Sequence, residues 1–475
     1  VKPIIFCLLW PVLAAAAHAG EAERLTTLRD QQRVSVTIYN EDLALVKDNR
    51  RVELGAGENL LAWRDVSAKI RPETAHLSNT SHPEGFELIE QNFDFDLLTP
   101  AKLIQKNVGG KVLITKTNPA TGVETTEEAT ILSANEGLVV QFADRVEIDP
   151  AGKLVFKAVP GNLRDRPTLV IRLQQPQSGV QNLGLSYLTS GLAWKADYVA
   201  ELSANDDSLE LNGWVTLTNQ SGTSYPDAHL QLVAGDVNRV QEEIGRAWAK
   251  GAVMQMAAAP VPMKEEGLFE YHLYSLDRST TIADNQTKQL ALLSATGVPA
   301  RKEFMLRGAD YYYYSSTGEI GQKLKVGVYV EFDNKGQNLG IALPKGVVRV
   351  YKKDSAGNAQ FVGEDRIDHT PKNETVRLKL GDAFDITADK KQTAFQKIAG
   401  NGKYNNIFEA SFEVALKNAK NESVEVKVVE PIPGDWEIVS ETAKHTKLAA
   451  NTAVWKIRIL PMDSTTLSYR ARVKY

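Results

Sequence analysis

The sequence predicts a mainly β, multidomain protein, and three observations carry that expectation. Residues 183–235 hold three runs of strict apolar/polar alternation with turn residues between them. Strand-like segments then recur along the chain at spacings of roughly 8 to 15 residues, divided by Gly, Asn, Asp and Pro, as all-β domains require. The 475 residues are 43% hydrophobic and 24% charged, an ordinary globular composition in a chain too long for one hydrophobic core.

The alternation is clearest in the first run. Trp194, Ala196, Tyr198, Ala200 and Leu202 point one way, while Lys195, Asp197 and Glu201 point the other. Successive side chains of a strand leave opposite faces, so period two marks a half-buried strand. Leu209, Leu211, Gly213, Val215 and Leu217 form the second run; Ala228, Leu230, Leu232 and Ala234 form the third. Antiparallel strands wet on one face are the expected result.

Taken in order, the chain opens with Lys2, an apolar run to Ala17, and the small-residue site Ala17-His18-Ala19. Residues 1–19 are therefore expected to be a secretory signal peptide, too short in its apolar run to span a membrane. The lone cysteine, Cys7, falls inside it, so the mature chain would be cysteine-free and held together by packing alone. That places the protein outside the cytoplasm, in the bacterial periplasm. Residues 20–95 read as a small N-terminal β-domain and residues 96–165 as a small β-barrel, given four short strands with Asn/Gly hairpin chemistry. Residues 166–310 read as a β-sandwich with a mobile insertion at 236–267. There Val240, Ile244, Trp248 and Ala252 share one helical face, but a segment of this length is more readily a surface loop. Residues 311–400 read as a second sandwich-like domain and residues 401–475 as a C-terminal β-sandwich. One pattern recurs three times: Val215-x-Leu217-x-Asn219, Val330-x-Phe332-x-Asn334 and Val414-x-Leu416-x-Asn418. It suggests three related units in the C-terminal two-thirds.

Charge and motif content narrow the function. A formal charge of −4, a pI near 6.1 and no basic stripe exclude nucleic acid as a partner. No segment after residue 19 approaches the ~18 apolar residues of a membrane-spanning helix. The histidines His76, His82, His229, His272, His369 and His445 make no zinc-ligand spacing, and His229 and His272 read as solvent-facing strand residues. Neither a metal nor a cofactor is expected, and no nucleophile elbow, phosphate-binding loop or dinucleotide fingerprint occurs. Carboxylate pairs for glycoside chemistry have no fixed spacing; Asp94 with Asp96 and Asp365 with Asp368 are the nearest candidates, and turn or edge chemistry is the plainer reading of both.

The most unusual composition is the run Tyr311, Tyr312, Tyr313, Tyr314. Aromatics bring large rigid contact area with a polar handle, so an exposed run favours recognition. In a strand two of the four would face the core. With Trp248, Met254 and Met256 of the insertion, these tyrosines form the candidate recognition surface. At the C-terminus, Leu467, Tyr469, Ala471, Val473 and Tyr475 alternate to a terminal aromatic, as the last strand of an outer-membrane barrel would.

Several long passages in order, among them LSYLTSGLAWKADYVAEL, LNGWVTLTNQSGTSYPDAHLQLVAGDV and KNAKNESVEVKVVEPIPGDWEIV, resemble the bacterial domain-of-unknown-function family 4139, the group that includes the mucoidy inhibitor A proteins. The resemblance covers about residues 180–475 and implies exported β-architecture without a defined activity. Many relatives place a long coiled coil ahead of the shared region; no sustained heptad occurs in this sequence. The sequence thus points to a non-catalytic binding or scaffolding module of the cell envelope, with an envelope protein, peptide or glycan as partner. The alternatives are a carboxylate-dependent hydrolase acting on an envelope polymer and an outer-membrane barrel component.

Overall fold

The computed structural model describes residues 23–475 except 41, 95, 162, 236, 237, 239–262, 337, 338 and 401. The expected signal peptide and the residues Trp248, Met254 and Met256 lie outside the described residues. The described part is mainly β, with 64% strand, a single α-helix and four sheets, so inter-strand ladders satisfy most of the backbone. The helix, Pro100–Lys106, starts where Thr99 accepts a hydrogen bond from the Lys102 N–H.

The alternation in the sequence becomes alternation in burial. Along Leu192–Leu202 the residues Leu192, Trp194, Ala196, Tyr198, Ala200 and Leu202 are buried; along Ser208–Asn219 so are Leu209, Leu211, Val215 and Leu217. They belong to one large core that runs from Val34 to Leu378 in sequence. A second core gathers residues from Phe304 to Val473. Each fully buried aliphatic side chain in them stabilises the fold by ~1.5–3 kcal/mol.

Three successive groups of four strands repeat one connectivity. The first is Leu192–Leu202, Ser208–Asn219, Tyr225–Ala234 and Tyr271–Ser275. The second is Gln286–Arg307, Glu319–Asp333, Gly346–Lys353 and Ala359–Ile367. The third is Thr375–Ile398, Ile407–Asn418, Val424–Pro431 and Thr452–Ile459. In each group the first two strands pair antiparallel, and so do the last two. Each second strand also pairs with the strand that opens the next group, and Ser464–Lys474 takes that place after the third. Each third strand pairs in parallel with an earlier opening strand: Gly346–Lys353 with Leu192–Leu202, and Val424–Pro431 with Gln286–Arg307. For the first group that parallel partner is Gln31–Tyr39, near the start of the chain.

The recurrent asparagine is the joint of each group. Asn219, Asn334 and Asn418 are all buried. Asn219 Nδ2 donates to the carbonyls of Thr223 and Ile282, Asn334 Nδ2 to those of Ile341 and Pro371, and Asn418 Nδ2 to those of Glu422 and Leu460. Each side-chain oxygen accepts a backbone N–H in the same loop, from Ser221, Gly340 and Lys420. An amide carries both donors and an acceptor on a short stem, so one residue ties the loop after the second strand to the segment that follows the fourth.

Two features differ from expectation. The strands of residues 96–165 do not close into a barrel. They form an open sheet in the order Val146–Ile148, Val139–Gln141, Glu124–Ser133, Lys111–Thr117, Lys153–Val155, and no closed barrel is detected among the described residues. Closure requires the two edge strands to pair, and here both edges are only three residues long. The end of the expected insertion, Lys264–Leu268, is a strand at a sheet edge paired with Tyr271–Ser275; its exposed Lys264 and Glu266 are the charged residues that edges favour. That sheet, of eight strands, also mixes distant sequence. Gln31–Tyr39 and Leu43–Leu54 share it with Gly179–Thr189 and Tyr225–Ala234. Beneath them Arg50, fully buried, donates from Nε to Asp48 Oδ2 at 2.9 Å and from a terminal nitrogen to the Thr26 carbonyl at 3.0 Å, while Trp63 Nε1 donates to Asp48 at 3.0 Å.

Candidate functional site

Residues Asp310–Tyr313 are a 3₁₀ turn between the strands Gln286–Arg307 and Glu319–Asp333, not a strand. In such a turn side chains three apart eclipse. The four tyrosines therefore do not alternate. Tyr311 and Tyr314 face solvent at 58% and 46% exposure, Tyr312 is half-buried, and Tyr313 is fully buried.

The exposed side is continued by rings from elsewhere in the chain. Tyr314 stacks on Tyr475 at 5.5 Å, Tyr475 meets Phe408 at 6.1 Å, and Phe408 stacks on Phe395 at 5.6 Å. Phe408 and Tyr475 lie on or beside Ile407–Asn418 and Ser464–Lys474, and Phe395 lies near the end of Thr375–Ile398. The result is an aromatic corner where the second core reaches the surface.

A buried polar network fixes that corner from below. Lys390 Nζ lies 2.6 Å from Glu430 Oε1, with both side chains out of solvent. Tyr313 OH donates to Glu430 Oε2 at 3.2 Å and shares a hydrogen bond with Tyr469 OH at 3.0 Å. Tyr469 stacks on Trp455 and on Phe412, and the Lys390 ammonium sits 4.5 Å from the Tyr312 ring centre. Burial lowers the pKa of Lys390 and Glu430 opposes the shift; burial, then the Glu430 charge, pushes the phenols of Tyr313 and Tyr469 well up. Gly308 is required beside this pair, because a Cβ there would overlap the Glu430 carboxylate. Gln392 completes the clamp: its Nε2 donates to the carbonyls of Tyr312 and Ser315, and its Oε1 accepts the Thr317 N–H.

A groove of about 790 Å³ lies where residues of all three groups meet and is lined largely by charges. Asp206 is bound by Lys302 at 2.7 Å and Lys352 at 2.5 Å, and Glu303 by Lys427. Burial acts to raise the Asp206 pKa, but the two ammoniums outweigh it and leave it lowered. A carboxylate held ionised in this way is a fixed link in an ion-pair lattice and a poor proton donor. Three of the four carboxylates singled out from the sequence are engaged within the fold as well. Asp94 accepts from Arg164, Asp96 binds Lys102 and Lys106, and Asp365 accepts the backbone N–H groups of Arg366 and Lys379. His229 and His272 are exposed strand residues, and no three metal-binding groups cluster among the described residues.

Sequence reasoning singled out the tyrosine run, though not its turn, and missed Phe395, Phe408, Lys390, Gln392 and Glu430. A signal was present for the last three. Ile386, Ala388, Lys390 and Gln392 fall in one alternation phase, as do Val424, Val426, Val428 and Glu430. A charge in the apolar phase of each of two strands marks a buried pair.

The fold and this corner define a class: a mainly β protein of tandem four-strand groups that displays a rigid aromatic surface. Residues 183–475, more than half of the chain, match the family described as Domain of unknown function (DUF4139), and the chain belongs to that family. No curated protein matches the chain.

Proposed function

We propose that the protein is an exported, non-catalytic binding or scaffolding module of the bacterial cell envelope, built from sandwich-like units and engaging a partner through its aromatic corner. The observation that carries the reading is the corner itself. Tyr311 and Tyr314 are exposed on a turn that Gln392 and the Lys390–Glu430 pair hold in place. Rigid aromatics offer contact area at little entropic cost, which is what recognition surfaces exploit. Envelope proteins and peptides fit the reading best, since the corner adjoins a strand end; a glycan stacking on Tyr311 is the second candidate. The test is site-specific photocrosslinking in cells, with the reactive group at position 311 or 314 and a control at Phe384, which is 93% exposed on another part of the surface. Discrete adducts at 311 and 314 and none at 384 are expected. Equal labelling at all three sites would overturn the reading, and failure of osmotic shock to release the protein would overturn its placement in the periplasm.

A further inference from the structure

The repeated connectivity leaves one position empty. In the second group, the preceding strand Ser208–Asn219 runs beside Gln286–Arg307 as far as Pro299; beyond it the same edge is taken in parallel by Val424–Pro431, with Val426 opposite Phe304 and Val428 opposite Leu306. In the first group Gly346–Lys353 lies in parallel on Leu192–Leu202, with Val348 opposite Tyr198 and Val350 opposite Ala200. In the third group, Glu319–Asp333 accompanies Thr375–Ile398 only as far as Lys391. Past that point residues 394–398 pair with residues 407–411 on one side, and no described strand pairs with their other edge.

We propose that residues 394–398 accept an extended segment of a partner protein, which adds as a parallel strand with apolar side chains at alternate positions. The proposal rests on the binding reading above and names the occupant. The molecule fills the two equivalent edges with such strands, and Val348, Val350, Val426 and Val428 are all buried there. The floor for incoming side chains is already built, because Phe395 packs on the second core next to Phe408, Tyr475 and Tyr314. Main-chain hydrogen bonds give such an addition its affinity, and pockets for alternate side chains give it selectivity. The strand carries features that keep open edges from self-pairing: an irregularity between Gln392 and Ala394 in its pairing with Ile407–Asn418, which bends the strand, and the exposed Lys397 near its end.

The probe is a synthetic peptide with the sequence of Val424–Pro431, added to the full protein, with amide hydrogen exchange read by NMR. Exchange at residues 394–398 is expected to slow in the presence of peptide. A nitroxide on the peptide N-terminus should broaden Ala394 and one on its C-terminus should broaden Ile398, which distinguishes parallel from antiparallel addition. Phe395→Ser should weaken binding roughly tenfold by removing the aromatic floor. A variant of a surface position away from the corner, Phe384→Ser, should leave it unchanged. No protection at millimolar peptide, or broadening in the reversed pattern, overturns the proposal. Self-association lost in Phe395→Ser would assign the edge to a second copy and overturn it equally. Crosslinks at 311 and 314 without peptide addition would leave the binding reading standing and remove only the strand assignment.

Discussion

The two ends of the repeated array are built alike and finished differently. At its start, the parallel position beside Tyr225–Ala234 is filled by Gln31–Tyr39, from sequence that precedes the family match at residue 183. At its end, the complementary position, beside the opening strand of the last group at residues 394–398, has no described partner strand. The N-terminal strands thus complete the first group and share its core through Val34, Val36 and Ile38. The difference teaches that a shared connectivity can be sealed by the chain at one end and left without a described partner strand at the other, where we propose a partner adds. Closing strands should therefore matter to stability at the start, and to binding at the end.

The largest effect is expected where the closed end is broken. Ile38→Asp places a charge without a partner in the first core and should cost on the order of 4–5 kcal/mol, read as loss of the cooperative urea transition followed by far-UV circular dichroism. Next comes the support of the open end. Glu430→Gln strands the buried Lys390 ammonium and should cost about 3–5 kcal/mol, while the Lys390→Met, Glu430→Met double variant should cost less, because it removes both charges. Thermal unfolding of the three proteins checks this. A double variant as unstable as the single one would mean that the hydroxyls of Tyr313 and Tyr469 depend on Glu430 more than Lys390 does.

The asparagine joints test whether the groups are mechanically equivalent. Asn219→Ala, Asn334→Ala and Asn418→Ala each leave buried carbonyls and a loop N–H without their partner, a loss of about 1–3 kcal/mol apiece. Denaturant midpoints should fall by similar amounts in all three. A neutral result at one position would show that its group is held by other contacts.

Most of the strand content was legible in the sequence because half-buried strands write their burial into alternation, as in residues 192–202 and 209–217. The asparagine recurrence was legible too, since its residues are local. What could not be read was pairing over long range. Nothing near Gln31–Tyr39 states that its partner is Tyr225–Ala234, and the tyrosine run gave no sign that it would turn as a 3₁₀ segment instead of alternating. The aromatic corner was only half visible for the same reason: Tyr311 and Tyr314 lie in one run of the sequence, but Phe395, Phe408 and Tyr475 reach them through two strand pairings.

Acid should loosen the junctions between groups before it affects the open edge. Asp206 links the first group to Lys302 and Lys352 of the second, and Glu331 links the second to Arg377 of the third. At Glu331, as at Asp206, burial is outweighed by the cationic partner and the pKa is lowered. A folded pKa below the unfolded one means that the stabilisation is complete above the unfolded values, ~4, and is lost as pH falls through the folded values. Melting temperature should therefore be flat above about pH 5 and decline below about pH 4, and Asp206→Asn should flatten part of that decline.

The smallest effect on stability belongs to the open end itself. Phe395 is half-buried and borders a strand edge that no described strand covers, so Phe395→Ser should stay within about 0.5–1 kcal/mol of the parent protein. The same substitution should nevertheless weaken binding of the Val424–Pro431 peptide roughly tenfold. In Ile38→Asp the ratio reverses: stability collapses, and any loss of binding follows unfolding. A Phe395→Ser protein that melted several degrees lower would place Phe395 in the core and make the edge a frayed strand end. A melting curve superimposable on the parent's, with peptide protection gone, would show that the array is closed by its own sequence at the start and completed by a partner at the end.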